Sequence, residues 1–96
     1  MAWASWTTSG VFAGPGGVPT AEADMISGDL TVHTTWSDGQ AQIAVQFSGS
    51  SDWFTLVGSP LPCPSEEDSR DLHQGVVEAV RAGAAAVSAL KPTPNR

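Results

Sequence analysis

The chain has no tyrosine, a single cysteine and a single lysine among its 96 residues. Each shortage excludes something. With Cys63 alone there is no internal disulfide, so packing must hold the fold, and a reducing, cytoplasmic setting is expected. Lys91 and three arginines face ten acidic residues, for a net charge of −6. Phosphate backbones are gripped by clustered Lys and Arg, so direct nucleic-acid binding is not expected. Charged residues make up 15%, against roughly 25% in ordinary globular chains. Neutral polar groups or a partner must therefore cover the surface. No apolar run reaches the length of a membrane span. Residues Met1–Ser9 lack the basic start and continuous apolar core of a secretory leader.

The 41% apolar content is ordinary, and a chain this short makes one domain spanning residues 1–96. The bias towards Ala, Gly, Pro and Arg over Lys points to a high-GC bacterial or phage genome. The clearest local signal is Asp38-Gly39, since a type I′ hairpin turn needs positive φ at both central residues. That turn sets Trp36 opposite Ala41, Thr34 opposite Ile43, Val32 opposite Val45 and Leu30 opposite Phe47. Side chains alternate along strands, so these eight share one face. Thr35 with Gln42, His33 with Ala44 and Thr31 with Gln46 take the other face. A slip by one residue would destroy this sorting.

A third strand is expected at Trp53–Val57, with Gly49–Asp52 as the loop. Phe54 then pairs with Phe47 and Leu56 with Val45, while Trp53 and Val57 point outward beside Ala44 and His33. Residues 27–58 thus read as an antiparallel β-meander with Ala41–Phe47 central. Residues 1–26 read as irregular, with a fourth strand available from the segment carrying Trp3 and Trp6. Gly14–Gly17 reads as a turn or flexible loop, and Thr20–Ile26 as one helical turn or a short strand. The strand at Leu30–Trp36 has no Pro or Lys to blunt it, so the N-terminal strand or another chain is expected to pair with it.

Three prolines in Gly58–Pro64 imply extended chain. Ser65 reads as an N-cap, with Glu66, Glu67 and Asp68 favoured at the positive end of the helix dipole. The helix is expected over 65–90, stopping before Pro92 and leaving 91–96 as a tail. Its core stripe is Leu72, Val76, Val80, Gly83, Val87 and Leu90. Gly75, Ala79, Ala82, Ala86 and Ala89 form a second stripe of small residues. Together the apolar positions span about two thirds of the helix circumference, wider than a one-sided helix needs. The fold class is thus α+β, a β-meander packed on one long C-terminal helix.

Chemical motifs are scarce. Gly14–Gly17 lacks the lysine of a phosphate loop, and Pro19 stands where a dinucleotide fingerprint needs its third glycine. Cys63 lies near a helix start, which favours thiolate, but Glu66–Asp68 oppose it, so the thiol reads as incidental. His33, His73 and Cys63 have no metal-ligand spacing, and Glu66–Asp68 lack the pattern of a calcium loop. No metal or cofactor is expected. Three antiparallel strands followed by a helix resemble the order in double-stranded-RNA-binding domains. Their helix start is basic, and Ser65-Glu66-Glu67-Asp68 here contradicts that function.

What remains is surface. The outer sheet face (Thr31, His33, Thr35, Gln42, Gln46, Trp53 and Val57) is uncharged near neutral pH, so a cover is expected. The N-terminal segment with Trp3 and Trp6, or a second protomer, would supply it. The leading expectation is a non-catalytic protein-interaction module, an adaptor, accessory or inhibitor, forming a homodimer. Its surface would be Trp3, Trp6, His33, Thr35, Gln42, Trp53 and Val57, or the helix stripe Gly75, Ala79, Ala82 and Ala86. One alternative is a small enzyme or small-molecule-binding protein with His33 as acid/base and Thr35 and Gln42 orienting a ligand. Another is an acidic DNA mimic that occupies a basic partner.

Overall fold

A computed structural model describes residues 2–90. In chain order the elements are β1 (Trp3–Phe12), β2 (Val18–Thr20), β3 (Asp24–Ile26), β4 (Asp29–Ser37), β5 (Gln40–Phe47), β6 (Phe54–Thr55), β7 (Leu61–Pro62), α1 (Glu66–Ala82) and α2 (Ala84–Ser88). The fold is α+β. Asp38 and Gly39 have φ of 51° and 77°, as a type I′ turn demands. The β4–β5 pairs run from Leu30 with Phe47 to Ser37 with Gln40, the register that the alternation dictates.

The sheet is larger than a three-stranded meander. Its order is β1-β4-β5-β6, with β7 also on β5. The N-terminal segment is not irregular over Trp3–Phe12: it pairs antiparallel with β4, Trp3 opposite Ser37 and Thr8 opposite Val32. The strand at Leu30–Trp36 is therefore sealed from within the chain. A bulge between Thr8 and Val11 shifts the register, and Gly10 supplies a positive φ of 68° inside it.

The expected strand Trp53–Val57 shortens to β6, which pairs Val45 with Phe54 and Ala44 with Thr55. This is two residues from the expected pairing, so Trp53 keeps its expected face beside His33, whereas Val57 lies beyond the strand and is not beside His33. The Ser50 N–H donates to the Phe47 carbonyl (2.9 Å). Phe47 is thus drawn into the turn and cannot pair with Phe54, although the two rings still meet edge to face at 6.0 Å. The chain leaves β5 after Leu56 and returns as β7, with Leu61 opposite Ala41. The Thr20–Ile26 region forms strand, turn and strand, with β2 paired to β3. This hairpin caps the far side of β6. Thr20 bridges to Leu56, and the Glu22 carboxylate accepts from the Thr55 N–H and hydroxyl, both at 2.7 Å.

Ser65 caps α1 by accepting from the Asp68 N–H at 3.1 Å. The helix does not run on to Leu90. It breaks at Gly83, whose φ is 119°. The cause is the glycine loop, a turn closed by the Gly17 N–H on the Gly14 carbonyl (3.1 Å), which docks here. The Gly14 N–H donates to the Val80 carbonyl, and the Ala84 N–H to the Pro15 carbonyl, both at 2.9 Å. A Cβ at Gly83 would collide with the Pro15 carbonyl oxygen, and one at Gly14 with that of Arg81. Gly83 is the break in the helix, where a helical position on the core stripe was expected. The core lies between one sheet face and the helices, with Leu30, Val32, Ile43, Val45 and Leu56 packed on Leu72, Val76, Val77, Val80 and Val87. The expected tail, residues 91–96, lies outside the described residues.

Two glycines of the C-terminal helix should respond oppositely to alanine. Gly83→Ala meets backbone and a forbidden φ, and should cost about 2–4 kcal/mol. Gly75→Ala meets open space in α1 and should stabilise by about 0.5–1 kcal/mol. Urea unfolding of both variants checks the pair.

Candidate interaction surfaces

Backbone direction along the sheet follows from two bonds. The Leu56 N–H donates to the Ile43 carbonyl (3.0 Å), so the Ile43 backbone faces β6. The Ser48 N–H donates to the Asp29 carbonyl (2.9 Å), so the Asp29 backbone faces β5. Direction alternates along an antiparallel ladder. Leu30, Val32, Thr34 and Trp36 therefore aim their peptide groups at β1. Ala4, Trp6 and Thr8, their partners in β1 where it precedes the bulge, answer them. Trp3, Ser5 and Thr7 thus turn their N–H and C=O groups away from the sheet. In the sheet order β1 is terminal. Among the described residues, this edge is unpaired. No charged residue, proline or lysine interrupts residues 3–12, whereas natural edges are usually blunted by such residues.

The side chains of the same three residues stand on the outer face. Thr7 lies opposite His33, His33 opposite Ala44 and Ala44 opposite Thr55. His33 is fixed between two hydroxyls, with Nδ1 at 2.7 Å from Thr7 Oγ1 and Nε2 at 3.0 Å from Thr35 Oγ1. The Trp53 ring lies 5.5 Å from the His33 ring. A hollow of about 320 Å³ beside His33 is lined by Thr35, Gln42, Thr55 and Ser59. Trp3 and Trp53 are 66% and 46% exposed. The N-terminal strand does not cover this face, because β1 extends the sheet sideways; Thr31 is buried, His33 and Thr35 are half-buried, and Gln42 is exposed.

Other expected site residues are scattered. Trp6 is on the inner face, opposite Thr34, and donates from Nε1 to Ser69 Oγ at 3.0 Å. It is thus separated from Trp3 by the alternation of β1. Val57 is exposed but borders a different hollow, with Pro19, Leu61, Val87 and Leu90. Along the small-residue stripe Gly75 and Ala82 are exposed, Ala79 is buried, and Ala86 lies half-buried beyond the Gly83 break. Cys63 is buried, 3.5 Å from the Ser65 carbonyl oxygen. Among the described residues, no three His, Cys, Asp or Glu side chains are grouped to hold a metal ion, and no helix is long and apolar enough to cross a membrane.

A polar seam that sequence reasoning missed joins β1 and β4 to α1. His73, 6% exposed, places Nε2 at 2.9 Å from Thr8 Oγ1 and Nδ1 at 2.8 Å from Thr34 Oγ1. The Ser69 hydroxyl accepts from the Trp6 indole and donates to the Glu66 carbonyl at 2.5 Å. The spacing of Ser69 and His73, one turn apart, was the available signal. Outside the seam, Trp6, Thr8, Glu67, Arg70, Asp71 and Gln74 line an open groove of about 660 Å³ along β1. Burial pushes His73 below its ordinary value of 6.5, and the nearby His33 adds to the effect. The exposed Glu22 carboxyl is held below its ordinary value by the Thr55 N–H and then its hydroxyl.

Comparisons with protein-family models, curated proteins and solved structures find no match to this chain. The surfaces themselves must carry the functional argument.

The lowered pKa of His73 gives stability a pH dependence. Above about pH 6.5 the histidine is neutral in both states and its contribution is complete. As pH falls from 6.5 towards the lowered folded value, the unfolded chain takes up the proton first and stability drops. Thermal melts between pH 7.5 and 5.5 should show this loss. His73→Gln should melt lower at pH 7.5 and show a flatter pH dependence.

Proposed function

We propose that this chain is a non-catalytic protein-interaction module that docks by strand addition at the open edge of β1. The observation that carries the reading is the outward-turned peptide groups of Trp3, Ser5 and Thr7, on a terminal strand without one charged side chain. Strand addition takes its affinity from main-chain bonds and its selectivity from alternate side-chain positions. Here Trp3 and Thr7 supply those positions on the outer face, continuous with His33, Thr35, Gln42 and Trp53. The Gly75 and Ala82 side of α1 is a weaker candidate, since Ala79 between them is committed to the core. Self-association, cytoplasmic location and a role as adaptor or inhibitor belong to this same reading.

A second reading is favoured by the hollow beside His33, where a small neutral ligand would meet Thr35 and Gln42. An acid/base role for His33 is disfavoured, because both ring nitrogens already have threonine partners. A fragment screen read by Trp53 quenching separates the two readings. Binding that Gln42→Ala abolishes supports the ligand site, and no such binding dismisses it.

Ser5→Pro tests the docking edge. The Ser5 N–H points away from β4, so proline there removes an outward donor and leaves the β1–β4 bonds intact. The variant should fold, with its melting midpoint within a few degrees of the parent. It should lose most of its association with any partner that protects the Ser5 and Thr7 amides from hydrogen exchange. Full association by a folded Ser5→Pro chain removes the reading.

A further inference from the structure

We infer that the partner of the β1 edge is a second copy of this chain, joined β1 to β1 antiparallel about a two-fold axis at Ser5. The inference rests on the reading of β1 as a docking strand. Backbone direction selects the register. An axis at Ser5 sets Ser5 opposite Ser5, and Trp3 opposite Thr7 twice. These residues turn their peptide groups outward, so all three pairs are bonded, with two bonds each. An axis at Ala4 or Trp6 aligns only two such pairs before the bulge intervenes, and an axis between residues aligns none.

The two surfaces that meet are complementary to themselves. Residues 3–12 carry no charge, so identical strands meet without like charges opposed. On the outer face, Trp3 of each copy comes beside Thr7 of the other, next to His33, which covers an indole that is 66% exposed in one chain alone. On the inner face, the two α1 flanks approach across the axis. Each flank presents Arg70 with Glu67 and Asp71, so the Arg70 of either copy has the other's carboxylates to meet, against an excess of one acid on each flank. The pairing extends the two sheets into one and uses up the open edge of each, so assembly closes at two.

A charge-swap experiment on the full chain tests this. Ser5 is exposed, so Ser5→Lys and Ser5→Glu should both fold. In sedimentation equilibrium the parent should form a dimer of the 9.9 kDa chain, and each variant alone should associate at least about tenfold more weakly. An equimolar mixture of the two variants should recover the dimer. In a mixed-isotope sample of the parent, a cross-copy NOE should link the Ala4 and Trp6 Hα protons, which this register brings together in a non-bonded pair. A parent that remains monomeric at millimolar concentration overturns the inference. So does a dimer indifferent to Ser5→Lys, or one whose cross-copy NOEs fall on Gly75 and Ala82. Should the chain stay monomeric while Ser5→Pro severs a complex with a different protein, self-pairing fails and the docking edge stands.

Discussion

The turn at Asp38-Gly39 is the constraint from which the surfaces follow. Two positive φ values in succession fix the β4–β5 register, and alternation then assigns every side chain to the core or the outer face. The same register sets the direction of each peptide group. Because Thr34 faces β1 and Ile43 faces β6, the outermost strand is left with Trp3, Ser5 and Thr7 directed at solvent. A shift of one residue at the turn would turn the core outward and present a different edge. Fold and candidate interface are thus consequences of one local geometry.

The parts legible in the sequence are those governed by short-range rules. The hairpin is one, since Asp-Gly and eight alternating residues specify it twice over. The start of α1 is another, because Ser65 accepts from the Asp68 N–H and the acids after it complement the helix dipole. The outward placement of Trp53 followed from parity alone and survived a two-residue error in pairing. What was not legible depends on distant partners. Nothing near Phe54 announces that Glu22 will seize Thr55. The helix pattern runs smoothly through Gly83, and only the arrival of Pro15 explains the break.

The candidate site was readable in kind but not in place. An uncharged outer face with exposed indole was expected and is present. The N-terminal strand, expected as a possible cover, instead lies beside β4 and carries the open edge one strand further out. Trp3 and Trp6, expected to act together, are assigned to opposite faces by the alternation of β1. Trp6 serves the polar seam, where Ser69 and His73 tie sheet to helix through hydroxyls and an imidazole. Such groups are costly to bury unless partnered. Among the described residues, no buried side-chain N or O atom lacks a hydrogen-bond partner. That seam holds β1 against α1.

The glycine loop wedged at the end of α1 has a further consequence. Gly14 and Pro15 hold Val80 and Ala84 by main-chain bonds, so the segment that carries β2 and the short helix α2 are moored to each other and to the last turn of α1. Breaking that joint would free both together, the kind of local opening that costs less than global unfolding. Amides of Gly14 and Ala84 would then exchange as one group, at a rate set by two main-chain bonds between distant parts of the chain.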